Sequence, residues 1–304
     1  MNGGAVSWDK YISKVWESDK SEVMPNTLEL LDFDTEYIYT LIRKYKKINV
    51  IDIGPGNALP VKKFLSFLIS KNVLRKYIAI DYSPEMLKIA ENNLKEWFGR
   101  DFLFEAHRAD ITSDTFQSLL FENSEFNCED VTCANLILYI GGTIENDRLY
   151  DQQLRIINHS MGKSDTFVLE QGLDTESVKL RLTFGNQEDD SKSSDLKHRK
   201  MVLDLLNIPE DYYEIERFYD ESSRAKLIKV KFNVDLKVKI ETETFTKILS
   251  FSSQDSVVIW RYNSHTKMEV IDEMSKAGFD IKHVSTSMNN ESIMLVSQIR
   301  SMNG

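Results

Sequence analysis

The sequence predicts an α/β protein: a parallel sheet with crossover helices, interrupted by one α+β insert and closed by an antiparallel hairpin. Three observations carry this reading. Short β-branched apolar runs alternate with amphipathic helical stripes from Ile48 to about Glu170. The first run, Ile48–Ile53, ends in Gly54-Pro55-Gly56, where glycine lets the backbone turn sharply against a ligand. The alternation breaks from about Gly172 to Tyr262, then resumes with a helix and two strands separated by Asn289-Asn290.

Composition sets the outer limits. The chain has 304 residues, 41% hydrophobic and 28% charged, enough to bury a full core. A formal net charge of -10 argues against a protein that tracks nucleic-acid phosphates. The two cysteines, Cys128 and Cys133, give neither a disulfide framework nor a zinc spacing, and no metal site is expected. A basic start with an apolar signal run is lacking, and no apolar run reaches the roughly 18 residues of a membrane span. These features together lead to the expectation of a cytoplasmic chain with no membrane partner.

In chain order, Trp8, Tyr11, Ile12, Val15 and Trp16 form one apolar helical stripe, with Ser7 as the expected N-cap. After Pro25-Asn26 a second helix places Phe33, Tyr37, Ile38, Leu41, Ile42 and Tyr45 on its buried side. Strand Ile48–Ile53 leads to a helix opened by Pro60 and carrying Phe64, Leu65, Leu68 and Ile69. Strand Tyr77–Asp81 precedes Ser83-Pro84-Glu85, an N-cap, a first-turn proline and a first-turn acid. Strands Phe102–Ala106 and Val131–Tyr139 follow, then a helix through Leu149, Ile156 and Ile157, and strand Thr166–Glu170.

Within the insert, the polar stretch Asn186–Ser194 reads as a loop and Asp195–Leu206 as a helix. The alternation from Ile228 to Ile240 is either one bent strand or two strands broken near Asn233-Val234-Asp235. Helix Lys267–Lys276, stopped by Gly278, and strands Ile281–Thr286 and Ser292–Gln298 complete the chain. Three parts follow: an N-terminal helical segment (1–47), a core (48–171 and 263–304) and an insert (172–262).

The chemistry gathers at the carboxyl ends of the strands, where open α/β sheets bind ligands. Gly54-Pro55-Gly56-Asn57 lacks the third glycine of the dinucleotide fingerprint and is no P-loop. Asp81 is placed to accept from two ribose hydroxyls, and Asp110 to accept from an adenine amino group with Ile111 against the ring. Each aspartate alone also fits a turn or helix cap.

Gly-x-Gly, then Asp, then Asp-hydrophobic at three successive strand ends, with a closing hairpin, resemble the class I S-adenosylmethionine-dependent methyltransferases and their Rossmann-like sheet. The resemblance covers Ile48–Gln171 and Lys267–Gln298. It implies S-adenosylmethionine as cofactor, with Asp52 near its methionine end, Gly54 and Gly56 lining it, Asp81 at the ribose, Asp110 and Ile111 at the adenine, and Tyr82 a further cofactor-binding residue. A nicotinamide reductase fits less well, having no use for the hairpin.

Leu136-Ile137-Leu138-Tyr139-Ile140-Gly141-Gly142-Thr143-Ile144-Glu145-Asn146 resembles the Gly-Ser-Thr-Ile-Gly-Asn stretch of the histidine-specific, ergothioneine-pathway N-methyltransferase family. By that resemblance Asn146 contacts the amino-acid substrate; a helix N-cap is its other reading. Where the family sets a Glu and a Ser against the imidazole, this chain has Trp260 and Tyr262, whose π-faces suit an aromatic or cationic group. Tyr39 is a further aromatic available to the substrate. Tyr139, Glu145 and Glu170 are the acid–base candidates by position, and the five dispersed histidines suggest neither a triad nor a metal centre.

The function expected is N-methylation of an amino acid or an amino-acid-derived small amine. Two alternatives stay open: a peptide or protein methyltransferase, and a cofactor-binding interaction protein without turnover.

Overall fold

The computed structural model describes residues 4–17, 23–117, 133–146, 149–184, 200–241 and 246–300. Cys128 and the stretch 186–194 lie outside the described residues, as does the first part of the helix expected at 195–206. The elements are α1 (Gly4–Glu17), α2 (Val23–Ile42), β1 (Lys47–Ile53), α3 (Lys62–Ser70), β2 (Leu74–Asp81), α4 (Pro84–Phe98), β3 (Phe104–Arg108), β4 (Cys133–Tyr139), α5 (Tyr150–Ser160) and β5 (Thr166–Gly172). Then come α6 (Glu176–Phe184), α7 (Met201–Leu205), β6 (Tyr213–Asp220), β7 (Ala225–Phe232), β8 (Leu236–Glu241), β9 (Thr246–Phe251) and β10 (Ser256–Asn263). The chain returns to the main sheet through α8 (Lys267–Lys276), β11 (Phe279–Thr286) and β12 (Ser292–Ile299).

Two compact units result. One holds the described parts of Met1–Tyr11 and Thr175–Ser264; the other holds those of Ile12–Asp174 and His265–Gly304.

The second unit is built on a seven-stranded sheet in the order β11-β12-β5-β4-β1-β2-β3. From β5 to β3 all neighbours are parallel. Strand β12 runs antiparallel to both β5 and β11. Parallel strands buried on both faces need apolar residues of both parities, and β1 and β4 supply them. Val50, Leu136, Leu138, Val168, Met294 and Val296 meet α2, α3 and α4 on one face. Ile51, Ile137, Tyr139, Phe167, Leu169, Ile293 and Leu295 meet α5 and α8 on the other. At about 1.5–3 kcal/mol for each fully buried aliphatic side chain, these two faces are the main stabilising term.

Local chemistry fixes where the helices start and stop. Ser83 caps α4, its hydroxyl accepting from Met86 N at 3.2 Å, with Pro84 in the first turn. Thr266 and Glu269 form a reciprocal capping box on α8, and Gly278 follows that helix at φ 94°.

Several expectations change at this level. Ser7 is not an N-cap, because α1 starts at Gly4. Phe33 is 74% exposed, since the buried stripe of α2 runs through Leu30, Leu31, Ile38 and Ile42 instead. Ile69 is likewise exposed at the end of α3. Strand β3 lies two residues later than expected; Phe102 packs its ring 5.2 Å from that of Phe98, at the end of α4, rather than entering the sheet. In the other unit, the long alternation is two strands, β7 and β8, separated at Asn233-Val234-Asp235. There β7 is the centre of a three-stranded antiparallel sheet, β10-β7-β6, and β8 pairs with β9.

Candidate active site

The parallel strands all present their carboxyl ends at one edge of the sheet. The strand order β3-β2-β1-β4-β5 reverses direction between β1 and β4, the crevice where such folds take ligands. The loops after these two strands touch. Gly54 has φ 64°, and a Cβ built there would lie 2.8 Å from Thr143 Cγ2 and 3.0 Å from its Oγ1. A side chain at Gly54 would therefore collide with the loop after β4, so this glycine is required for close approach as well as for its backbone angle.

Asp52, the penultimate residue of β1, is 1% exposed. Its Oδ2 accepts from the Tyr77 hydroxyl at 2.5 Å, while Oδ1 has no hydrogen-bond partner among the described residues. Burial pushes its pKa up to about 7; the Tyr77 hydrogen bond opposes this and the charge of Asp81 adds to it. Burial also pushes the Tyr77 phenol well above its usual value, as does the adjacent Asp52. An orphaned carboxylate oxygen beneath two positive-φ glycines, Gly54 and Gly56, suits a ligand that brings a hydrogen-bond donor or a positive charge.

Asp81 closes β2. Its Oδ1 accepts from Ser83 N at 2.8 Å, and burial raises its pKa against the bonds from the Ser83 and Tyr82 amides. Tyr82 is 65% exposed, with the Arg108 guanidinium 5.0 Å from its ring centroid. Beyond β3, Asp110 Oδ1 accepts from Thr112 Oγ1 at 2.7 Å and Thr112 N at 3.0 Å, which holds its pKa low. Ile111 packs against the apolar cluster on the α5 side.

After β4, Gly141 and Gly142 take φ 77° and 75° and lead into a 3-10 turn, Thr143–Asn146. Asn146 is exposed, its Nδ2 3.5 Å from Gly142 O. It does not cap the next helix: α5 begins at Tyr150 with Leu149 at the cap position. The structure thus brings Asp52, Gly54, Gly56, Asp81, Tyr82, Asp110, Ile111 and Asn146 to one edge of one sheet.

Tyr139 and Glu145 belong to the same strand end and loop, but both side chains are buried. Tyr139 is 1% exposed in the core cluster of the α5 face, and its hydroxyl donates to Gln153 Oε1 at 2.6 Å. Strand parity is the reason: Tyr139 follows Ile137 onto the face opposite Leu136 and Leu138, so it is a core residue and not an exposed acid–base group. Glu145 is fully buried and sits close enough to Tyr150 for its charge to raise that phenol's pKa, after burial itself. Tyr39 lies elsewhere. Its ring packs edge-on to Phe67 at 5.5 Å with Lys71 Nζ 5.4 Å away, and that contact precedes the start of β2, at the amino ends of the strands. Trp260 and Tyr262 belong to the other unit, half-buried on β10 after a register shift, opposite Ile228 and Lys226. Lys226 Nζ lies 4.8 Å from the Tyr262 ring centroid.

The sequence reading named no role for Tyr77, Thr143 or Thr27, although all three meet site residues. A cavity of about 390 Å³ between α2 and the start of α3, lined by Leu28, Asp32, Leu59, Lys62, Lys63 and Ser66, contains none of the expected site residues. Among the described residues no group of three or more His, Cys, Asp or Glu is arranged to hold a metal, and no helix is long and apolar enough to cross a membrane.

Comparison with known proteins follows the same lines. The chain is similar in fold to a S-adenosylmethionine-dependent methyltransferase from Clostridium acetobutylicum ATCC 824, at 10% identity over 98% of each chain with TM-score 0.46. It is also similar to the PH0226 protein from Pyrococcus horikoshii OT3, at 14% identity over 89% of this chain and 90% of that one with TM-score 0.49. A third is SAM-bound CalS10, an amino pentose methyltransferase from Micromonospora echinaspora, at 10% identity over 94% of this chain and 96% of that one with TM-score 0.46. No curated protein sequence matches the chain. The profile of the SAM-dependent, histidine-specific methyltransferases matches residues 26–298. The chain therefore belongs to that family, as a Rossmann-like methyltransferase whose cofactor is S-adenosylmethionine.

Proposed function

We propose that this methyltransferase transfers the methyl group to the amine of an amino acid or an amino-acid-derived small molecule. The observation that carries the reading is the contact of Thr143 with Gly54, which joins the loop bearing Asn146 to the loop that closes β1. A substrate held by Asn146 is then next to the place where a cofactor over Gly54 and Gly56 would end.

Each residue has a role in this reading. Asp52 offers its unpartnered Oδ1 toward the methionine end of the cofactor, and Asp81 accepts from the ribose hydroxyls with Tyr82 alongside. Asp110 and Ile111 bracket the adenine. The bound cofactor supplies a sulfonium methyl that is already activated. The chain's work is therefore orientation: Asn146 fixes the amine so that its lone pair lines up with the S–CH3 bond. The new bond is N–CH3 and the broken one S–CH3; the amine gives up one proton, and S-adenosylhomocysteine leaves. Tyr139, sealed against Gln153, takes no part in that proton transfer.

The test is incubation with methyl-labelled S-adenosylmethionine and a panel of amino acids and related amines, histidine included, read by mass spectrometry. Label in at least one amine, lost in Asn146→Ala, is the expected result. Label only in peptides or proteins, or in nothing, would overturn the reading.

A further inference from the structure

Glu170, on β5, has a carboxylate that the transfer mechanism does not use. It is 2% exposed, and its Oε2 accepts from two directions at once, from Gly141 N at 2.9 Å and from Thr27 Oγ1 at 3.0 Å. The Ser292 hydroxyl also bonds this carboxylate, and Asn26 Nδ2 donates to Ser292 Oγ at 3.3 Å. Four chain segments meet there: the first turn of α2, the end of β5, the start of β12 and the loop after β4.

The loop needs such an anchor. A Cβ at Gly141 would meet nothing within 4 Å among the described residues, so packing on that side does not hold the loop. Two residues on, Thr143 presses against Gly54. The Gly141 amide bond to Glu170 is the polar tether at the root of the segment that carries both Thr143 and Asn146.

We propose that Glu170 is a positioning residue for methyl transfer: with Thr27 it pins the Gly141–Asn146 loop to the first turn of α2 and so fixes where Asn146 meets the amine. The inference rests on the reading that this loop faces the amine. Once ionised, the carboxylate only accepts, so one group serves every donor; an amide would turn its NH2 toward one of them whatever the pH. With Oε2 already accepting from Gly141 and Thr27, and with burial nearly complete, Glu170 positions the loop and does not take the amine's proton.

The experiment is hydrogen–deuterium exchange read by mass spectrometry on the wild type, Glu170→Gln, Thr27→Val and Thr27→Ser. Exchange over Gly141–Asn146 is expected to rise at least tenfold in Glu170→Gln and severalfold in Thr27→Val, while β1 and α8 keep wild-type rates and Thr27→Ser restores the loop. Unchanged loop exchange, or a rise of equal size throughout the sheet, would sink the proposal. Thr27→Val carries the test if Glu170→Gln fails to fold. Asn146→Ala separates the inference from the reading beneath it. If that variant methylates the amine panel at the wild-type rate, the loop does not face the amine and the positioning role falls, whatever the exchange rates are.

Discussion

Asp52 holds two opposed demands on one carboxylate: Tyr77 donates to one oxygen, and the other is buried without a partner. Such a group is unfavourable until something answers it, which is why buried unsatisfied polar atoms concentrate at binding sites. At Asp81 the demands differ, because its Oδ1 already stabilises the turn through Ser83 N. Asp81→Asn keeps that acceptor and loses the charge. It is expected to melt close to wild type yet bind S-adenosylmethionine at least tenfold more weakly by calorimetry; an unchanged dissociation constant would remove Asp81 from the site. Gly54→Ala is expected to lower stability by about 1–3 kcal/mol in denaturant unfolding, since alanine is strained at φ 64° and its methyl would meet Thr143. At this scale the sequence is legible where a residue ends a strand. Asp52 and Asp81 announce themselves that way, and Asp110 stands just beyond the end of β3. Glu170 ends its expected strand in the same way, but its partnership with Thr27 is not legible, the two being separated by 143 positions and joined only by folding.

Helices and strands differ in how much of themselves they write into sequence. Helix α4 is readable at its start, and α8 at both ends, because those signals are chemical: a serine or threonine oxygen at the start and, for α8, a positive-φ glycine at the stop. Removing one such signal has a local cost. Thr266→Ala is expected to reduce stability by about 1 kcal/mol, seen as a lowered melting temperature, with Thr266→Ser close to wild type. Strands β1 and β4 are equally plain, being apolar at both parities. Strands β6, β9 and β10 escaped the reading for the converse reason: β9, Thr-Lys-Ile-Leu-Ser-Phe, leaves Ile248 63% exposed and shows no clean alternation. Its pairing with β8 is set by register and not by a hydrophobic pattern.

For the whole molecule, buried carboxylates tie stability to pH in a definite direction, Asp52 and Glu170 most strongly, with Asp81 and Asp165 also raised by burial. Burial raises both Asp52 and Glu170 to about 7; at Glu170 the Gly141, Thr27 and Ser292 bonds oppose it. From the ordinary values of 3.8 and 4.5 up to about 7, the folded chain keeps protons that the unfolded chain has released. Unfolding free energy therefore falls as pH rises through that window. The ligand-free protein is expected to melt at a lower temperature at pH 8 than at pH 5.5. Asp52→Asn should flatten that slope; a melting temperature that climbs between these pH values would contradict both assignments. Asp110, whose pKa is lowered by Thr112, acts oppositely and only in more acidic solution, so it leaves this window clear.

The place where the smaller unit leaves and rejoins the larger one has a last consequence. Leu173 pairs with His265 in an isolated parallel bridge, and Asp174 N donates to His265 O at 2.9 Å. The chain goes out and comes back through a doorway already closed by hydrogen bonds, so the ninety residues of Thr175–Ser264 are, for the sheet, one long excursion with almost no loop-closure entropy left to lose. Joining Asp174 to His265 through a few glycines should accordingly give a chain that still folds with the seven-stranded sheet, as judged by circular dichroism and a cooperative melt.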